Sequence, residues 1–200
     1  LRFIRQVNRP PLLAMVVSKQ PPQYFFIGEH SADLAFDPSE LPTGALDAAE
    51  IVHFGSLGLV REPLASRLIE VAQTVRAAGK RISFDPNFRA PMAEPAYRTT
   101  LRRMAGLASH IKVSDEDLRG LFPDLDEAAA LAQLREWAPG AGVLVTRGAS
   151  GMTLFEGDNV LFQPAFQTVV ADTVGCGDAS VGGWMASLLT HPEAPAAEHL

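Results

Sequence analysis

Ala171–Trp184 read ADTVGCGDASVGGW, which places Gly175, Cys176 and Gly177 directly before an acid, Asp178, that opens an apolar run. Val181, Met185, Leu188 and Leu189 follow at i, i+4, i+7 and i+8, so the spacing predicts an amphipathic helix beginning close to Gly177. The first N–H groups of a helix lack internal acceptors and its dipole favours negative charge. Glycine also lets a ligand approach the main chain, so this mouth is a candidate anion cradle. A carboxylate beside a bound anion is repelled by it, but Asp178 is useful there if it faces a hydroxyl. It can take the proton as that hydroxyl attacks a terminal phosphoryl group, while the amides of Gly175, Cys176 and Gly177 hold the charge growing on the phosphate. The competing account is local: Asp is a common helix N-cap and glycines shape turns.

Upstream, strand and helix patterns alternate. IVHFGS (51–56) is a short apolar run, and EPLASRLIEVAQTVRAAGK (62–80) sets Leu64, Leu68, Val71 and Val75 on a helical stripe, with Pro63 suited to its first turn. RISFDPNFR (81–89) reads as a buried strand with a polar end, followed by a helix from about Glu94 to Ala108. HIKVSDEDL (110–118) repeats strand, turn and helix, and the helix DEAAALAQLREWA (126–138) leads to the strand GVLVTRG (142–148). This order implies βαβ units, an α/β fold and a largely parallel sheet. Ligands bind such sheets outside the carboxyl ends of the strands. Asp85, Asn87, Arg89, Lys112, Ser114, Asp117, Thr146 and Gly148 are therefore site candidates on position alone.

Two hairpins complete the pattern. LLAMVV (12–17) and QYFFIG (23–28) flank the turn-rich SKQPP, and GMTLFEGDNVLF (151–162) alternates around EGDN. No linker, repeat or low-complexity tract divides the chain. There is no G-x-x-x-x-G-K-[ST] loop, and Gly148 and Gly151 do not complete a G-x-G-x-x-G after a strand.

The 200 residues are 47% apolar and 20% charged, enough for one sizeable core. A formal charge of −6 argues against a surface built for nucleic acid. The single cysteine fits a reducing compartment, and no apolar run is long enough to span a bilayer, so a cytoplasmic protein without membrane partners is expected. The chain opens abruptly at LRFIRQVNRP and closes at APAAEHL, and it is expected to be part of a longer protein.

DTVGCGD (172–178) resembles the D-T-x-G-A-G-D motif of the ribokinase-like (PfkB) carbohydrate kinases. FDPNFR (84–89), KVSDEDL (112–118) and VLVTRGASG (143–151) stand upstream in that family's order and spacing, most closely that of its fructokinase branch. The resemblance implies a three-layer α/β sandwich whose small β lid, about residues 12–36 here, closes over a sugar. It implies ATP-dependent transfer to a sugar hydroxyl with Mg2+ and a monovalent cation such as K+. Fructose to fructose 6-phosphate is the first reading. A kinase for 2-keto-3-deoxygluconate or another sugar, and an inactive sugar- or nucleotide-binding member, are the alternatives.

By the same resemblance Asp178 is the catalytic base and Gly175, Cys176 and Gly177 form the anion hole. Ser114 and Asp117 occupy the places of an N-x-x-E motif that organises magnesium, with Asp117 acting through water. Thr146, Gly148 and Gly151 line the nucleotide site. Lys112 balances phosphate charge, or is a solvated lysine at a strand end. Asp85, Asn87 and Arg89 lie near the phosphate path, or form an Asp–Pro–Asn turn whose arginine pairs with surface acids. Cys176 stands where alanine is usual and reads as tolerated packing first and as a redox-sensitive position second. The lid sequence lacks the branch's frequent Tyr-Arg pair, with His30 and Asp33 as sugar-facing candidates. His53 reads as a satisfied edge residue, and Trp137 and Trp184 as core. The family's early sugar-binding segment and its closing helices have no counterpart in the chain, and a homodimer through the lid is compatible with catalysis.

Overall fold

The structure, a computed structural model, describes residues 3–19 and 22–200. Strands β1 (Leu13–Lys19) and β2 (Pro22–Ile27) pair antiparallel as a separate two-stranded sheet. The tip of the SKQPP turn, at 20–21, lies outside the described residues. Strands β3 (Ile51–Gly55), β4 (Arg81–Asp85), β5 (His110–Ser114) and β6 (Gly142–Thr146) are parallel neighbours. Strands β7 (Met152–Glu156) and β8 (Asn159–Gln163) add an antiparallel hairpin, so the six strands lie in sequence order.

Alternation along these strands decides what each face of the sheet carries. In β4, Ile82 and Phe84 point one way while Ser83 and Asp85 point the other. Ile82, Phe84, Ile111, Val113, Val143 and Val145 are all fully buried on the first face. They pack against helices α1 (Leu64–Ala77), α2 (Pro95–Leu107), α3 (Asp115–Leu121) and α4 (Glu127–Trp137) through Ile69, Val75, Leu101, Met104, Leu118 and Leu134. Each such side chain contributes about 1.5–3 kcal/mol by leaving water, so this face anchors the fold.

The second face carries His53, Ser83 and His110 in one register row and Gly55 and Asp85 in the next, with Lys112 following on β5. Helix α5 (Cys176–Thr190) lies over it, with the Trp184 ring edge-on to His110 at 5.3 Å and packed against Leu144 and Leu154. The sheet is thus a middle layer between an apolar helical side and a polar side crossed by one helix.

The element boundaries differ in detail from the sequence expectation. The strand predicted over 81–89 ends at Asp85, because the following Asp–Pro–Asn turns the chain. Helix α5 starts at Cys176, and its buried residues are Val181 and Trp184, whereas Leu189 is exposed. Gly151 is required by its backbone: φ is +91°, and a β-carbon there would run into the carbonyl of Gln163.

Candidate active site

The carboxyl end of β5 meets the mouth of α5 on the polar face, with the end of β4 beside it. Gly175 caps that helix in the left-handed region, with φ 82°, which few residues other than glycine adopt readily. Ala179 N–H makes the first helical bond, to Gly175 O at 2.8 Å. The N–H groups of Gly177 and Asp178 fall within the first turn, where no intrahelical carbonyl reaches them. The amide of Cys176 donates to Thr173 O at 3.2 Å, so the three-residue cradle holds one amide already engaged. Asp178 and Cys176 are exposed and Gly177 is half-buried.

Beneath this mouth lies a buried charge cluster. Lys112 Nζ is 3.2 Å from Asp85 Oδ2 and 3.8 Å from Asp117 Oδ2, with the lysine side chain 5% exposed. The alternative of a solvated lysine is therefore corrected: alternation along β5 turns Lys112 under α5, and burial makes a carboxylate partner necessary. A β-carbon on Gly177 would lie 3.1 Å from Lys112 Nζ, so the ammonium borders the helix mouth. Burial pushes the Asp85 carboxyl up to about 6, against the opposing pull of Lys112 and with repulsion from Asp117 adding to the rise.

Asp117 joins two loops. Its Oδ1 accepts Phe88 N–H at 2.7 Å and its Oδ2 accepts Ser114 N–H at 2.7 Å, while Ser114 Oγ accepts Asp117 N–H at 2.9 Å. This reciprocal capping box starts α3 and explains the serine and acid three residues apart. Both Asp117 oxygens keep further lone-pair capacity for a hydrated cation. Phe88 fits because residue 120 is glycine; a β-carbon there would fall within 2.7 Å of the ring, a contact that the sequence pattern did not reveal.

Asp85 Oδ1 accepts Asn87 N–H at 2.9 Å, and Asn87 sits at φ 44°, a conformation asparagine tolerates. The expected Asp–Pro–Asn turn is present, but among the described residues Arg89 pairs with no surface acid. Its Nη1 donates to Phe88 O at 2.7 Å and Asn87 O at 3.2 Å, and its guanidinium stacks 4.9 Å from the Tyr24 ring of β2.

Thr146 stands opposite Ser114 in the parallel register, so it shares this edge of the sheet. A β-carbon on Gly148 would meet no heavy atom within 4 Å, whereas Gly151 packs against Gln163 and Pro164. Among the described residues no hydrogen bond or ion pair links Thr146, Gly148 or Gly151 to the Lys112 cluster. His53 Nδ1 lies 3.0 Å from Ser83 Oγ, which satisfies it at the sheet edge. Desolvation lowers its pKa, and the charge of Asp178 partly opposes the shift, so β3 and the α5 mouth share one electrostatic environment.

Sequence reasoning missed Arg61. It donates to Asp33 Oδ2 at 2.6 Å, to Ser31 Oγ at 3.0 Å and to Gly28 O, gripping the segment that leaves β2. Asp33 Oδ1 is buried without a partner among the described residues. Trp184 is core, as expected, while Trp137 is half-buried under Arg98, whose guanidinium is 5.1 Å from its ring.

A mixed sheet between helical layers, a separate hairpin and a buried lysine–carboxylate cluster under a helix mouth define a ribokinase-like α/β sandwich. The chain belongs to the pfkB family of carbohydrate kinases, whose family model matches residues 2–200. It is similar to a fructokinase of Klebsiella pneumoniae, 34% identical over 170 residues, covering 84% of this chain and 55% of that protein. It is also similar to a fructokinase of Rhizobium leguminosarum bv. trifolii, 34% identical over 188 residues, covering 90% and 55%. Among solved structures, fructokinase with bound ATP from Xylella fastidiosa superposes with a TM-score of 0.82 at 26% identity, covering 94% of this chain and 59% of that one. Aminoimidazole riboside kinase from Salmonella enterica, complexed with aminoimidazole riboside and an ATP analog, gives 0.78 at 26%, covering 96% and 63%. The chain spans about half the length of the curated relatives it matches.

Proposed function

We propose that the protein containing this chain transfers the terminal phosphoryl group of ATP to a sugar hydroxyl, with fructose giving fructose 6-phosphate. The observation that carries this reading is the buried Lys112 ammonium bordering Gly177, with Asp178 one residue further along the same helix mouth. Asp178 removes the hydroxyl proton as the sugar oxygen bonds to the terminal phosphorus. The bond from that phosphorus to the bridging oxygen breaks, and ADP leaves. The Gly177 amide and the Lys112 charge stabilise the transferring group; the amides of Gly175 and Cys176 belong to the same hole, Cys176 once its bond to Thr173 opens.

Magnesium fits the donor set through water on Asp117, where it would neutralise charge on the nucleotide phosphates. Ser114 acts on it indirectly, by orienting Asp117, and a monovalent cation such as K+ belongs to the same proposal. Thr146, Gly148 and Gly151 border the nucleotide, and Asp85, Asn87 and Arg89 border the phosphate path. Residues 12–36 form the lid, and its exposed Leu13, Met15, Phe25 and Ile27 suit a second copy of the same lid. A cytoplasmic location is consistent with the unpaired Cys176.

The test is ATP consumption by the full gene product across a panel of sugars, comparing wild type with Asp178→Asn. Sugar-dependent turnover that falls by roughly 10²–10⁴ in the variant is expected, with an unchanged melting temperature because the side chain is exposed. Nucleotide binding without sugar-dependent turnover in the wild type would replace the kinase with a binding protein of the same fold.

A further inference from the structure

Two of the arginines that tie the hairpin and the segment after it to the α/β body differ in character. Arg61 grips its root: the guanidinium reaches Gly28 O, the Ser31 hydroxyl and the Asp33 carboxylate, and Ser31 is fully buried. Arg89 touches its strand: the guanidinium lies 4.9 Å from the Tyr24 ring, and that ring stacks on Phe26 at 6.2 Å. The root is held by several directional bonds, whereas Arg89 meets the strand through a cation–π stack that can open and reform cheaply. The loop that carries Arg89 is in turn tied to the charge cluster, through Phe88 N–H on Asp117 and Asn87 N–H on Asp85.

We propose that Tyr24 is a positioning residue for Arg89. The hairpin, pivoting on the Arg61 root, delivers an aromatic face that fixes the guanidinium plane beside the phosphate-side loop, so the position of the hairpin and the order of that loop are coupled. Without the ring, Nη1 is held by Phe88 O and Asn87 O alone, and the outer edge of the guanidinium turns into solvent. The kinetic consequence rests on the phosphoryl-transfer reading; the physical coupling does not.

The experiment therefore has two arms on the full gene product. In the first, hydrogen exchange is measured without substrates in Tyr24→Ala, Tyr24→Phe and Arg89→Ala. Arg89→Ala is expected to speed exchange across 22–27 about fivefold, and Tyr24→Ala to speed it across 86–92 by a similar factor, with Tyr24→Phe matching wild type. In the second, kcat is measured in a double-mutant cycle. Tyr24→Ala lowers kcat about fivefold in the wild-type background and leaves it unchanged when Arg89 is already alanine, with the KM for the sugar shifting less than kcat. Purely local changes in exchange, or fully multiplicative kinetic effects, would overturn the proposal. A wild type without sugar-dependent turnover would remove the kinase reading, and the exchange arm alone would then decide the coupling.

Discussion

The ammonium of Lys112 lies 3.1 Å from the place a β-carbon would take on Gly177, so the side chain of a sheet residue and the backbone of the α5 mouth share one wall. Ordinary carbon contacts are longer than this, and Lys112 cannot swing freely because Asp85 and Asp117 hold it. Gly177→Ala must therefore displace the ammonium by a few tenths of an ångström. Elsewhere in a helix the same change is favourable by up to about 1 kcal/mol. The expected result is a split: melting temperature equal to or above wild type, with kcat lower by roughly tenfold or more. Thermal unfolding and steady-state kinetics on one preparation check it. A parallel fall in both would mean that residue 177 matters for folding rather than for the site.

The same lysine also carries a folding role. Removing it leaves the buried Asp85 and Asp117 carboxylates without their cation, and breaking a buried pair from one side costs about 3–5 kcal/mol. Lys112→Met, which keeps the length of the side chain, is expected to lose stability on that scale in urea unfolding. Adding Asp85→Asn to the same chain should recover part of the loss, because it removes one of the stranded charges. A single variant as stable as wild type would show that the carboxylates find another partner or take up protons at little cost.

What the sequence could reveal follows from what each residue reports locally. The order of strand and helix patterns reads as βαβ units, and ligands bind outside the carboxyl ends of such strands, so the parallel sheet and the candidates Asp85 and Lys112 were legible in the sequence. The strand, turn and helix of HIKVSDEDL were equally legible, whereas the capping box that ties Ser114 to Asp117 is a finding of the structure. The state of Lys112 was not accessible, because a strand-end lysine looks alike whether solvated or buried until α5 is known to cross that face. Contacts between distant segments were equally hidden. Gly120 carries no mark of Phe88, Arg61 none of the segment after β2, and Arg89 none of Tyr24, since each depends on how two loops approach in space. Leu189 misled because helical spacing identifies a stripe without saying how much of it is covered.

His110 offers a test of the polar face that is independent of catalysis. Its ring is 9% exposed, its Nδ1 has no hydrogen-bond partner among the described residues, and the Trp184 edge packs against it at 5.3 Å. Burial lowers its pKa to about 4 from the usual 6.5, with the charges of Arg81 and His199 adding to the fall. Between those pH values the unfolded chain binds a proton that the folded chain refuses. The stability this residue supplies is therefore complete above about pH 6.5 and is lost as pH falls toward 4, a loss on the order of 3 kcal/mol. Asp85 acts in the opposite sense: its pKa is raised from 3.8 to about 6, so over that span the folded chain keeps a proton the unfolded chain releases, and its contribution declines as pH rises. The two slopes oppose each other between about pH 4 and 6, which hides either one in the wild-type curve alone. His110→Phe isolates the histidine, because phenylalanine keeps a ring against Trp184 and removes the unpartnered nitrogen. Urea unfolding of both proteins at pH 7 and pH 4.5 should show the variant at least as stable at neutral pH and increasingly favoured in acid. A difference between the two that does not change with pH would mean that the histidine takes up its proton in the folded protein as easily as in the unfolded chain.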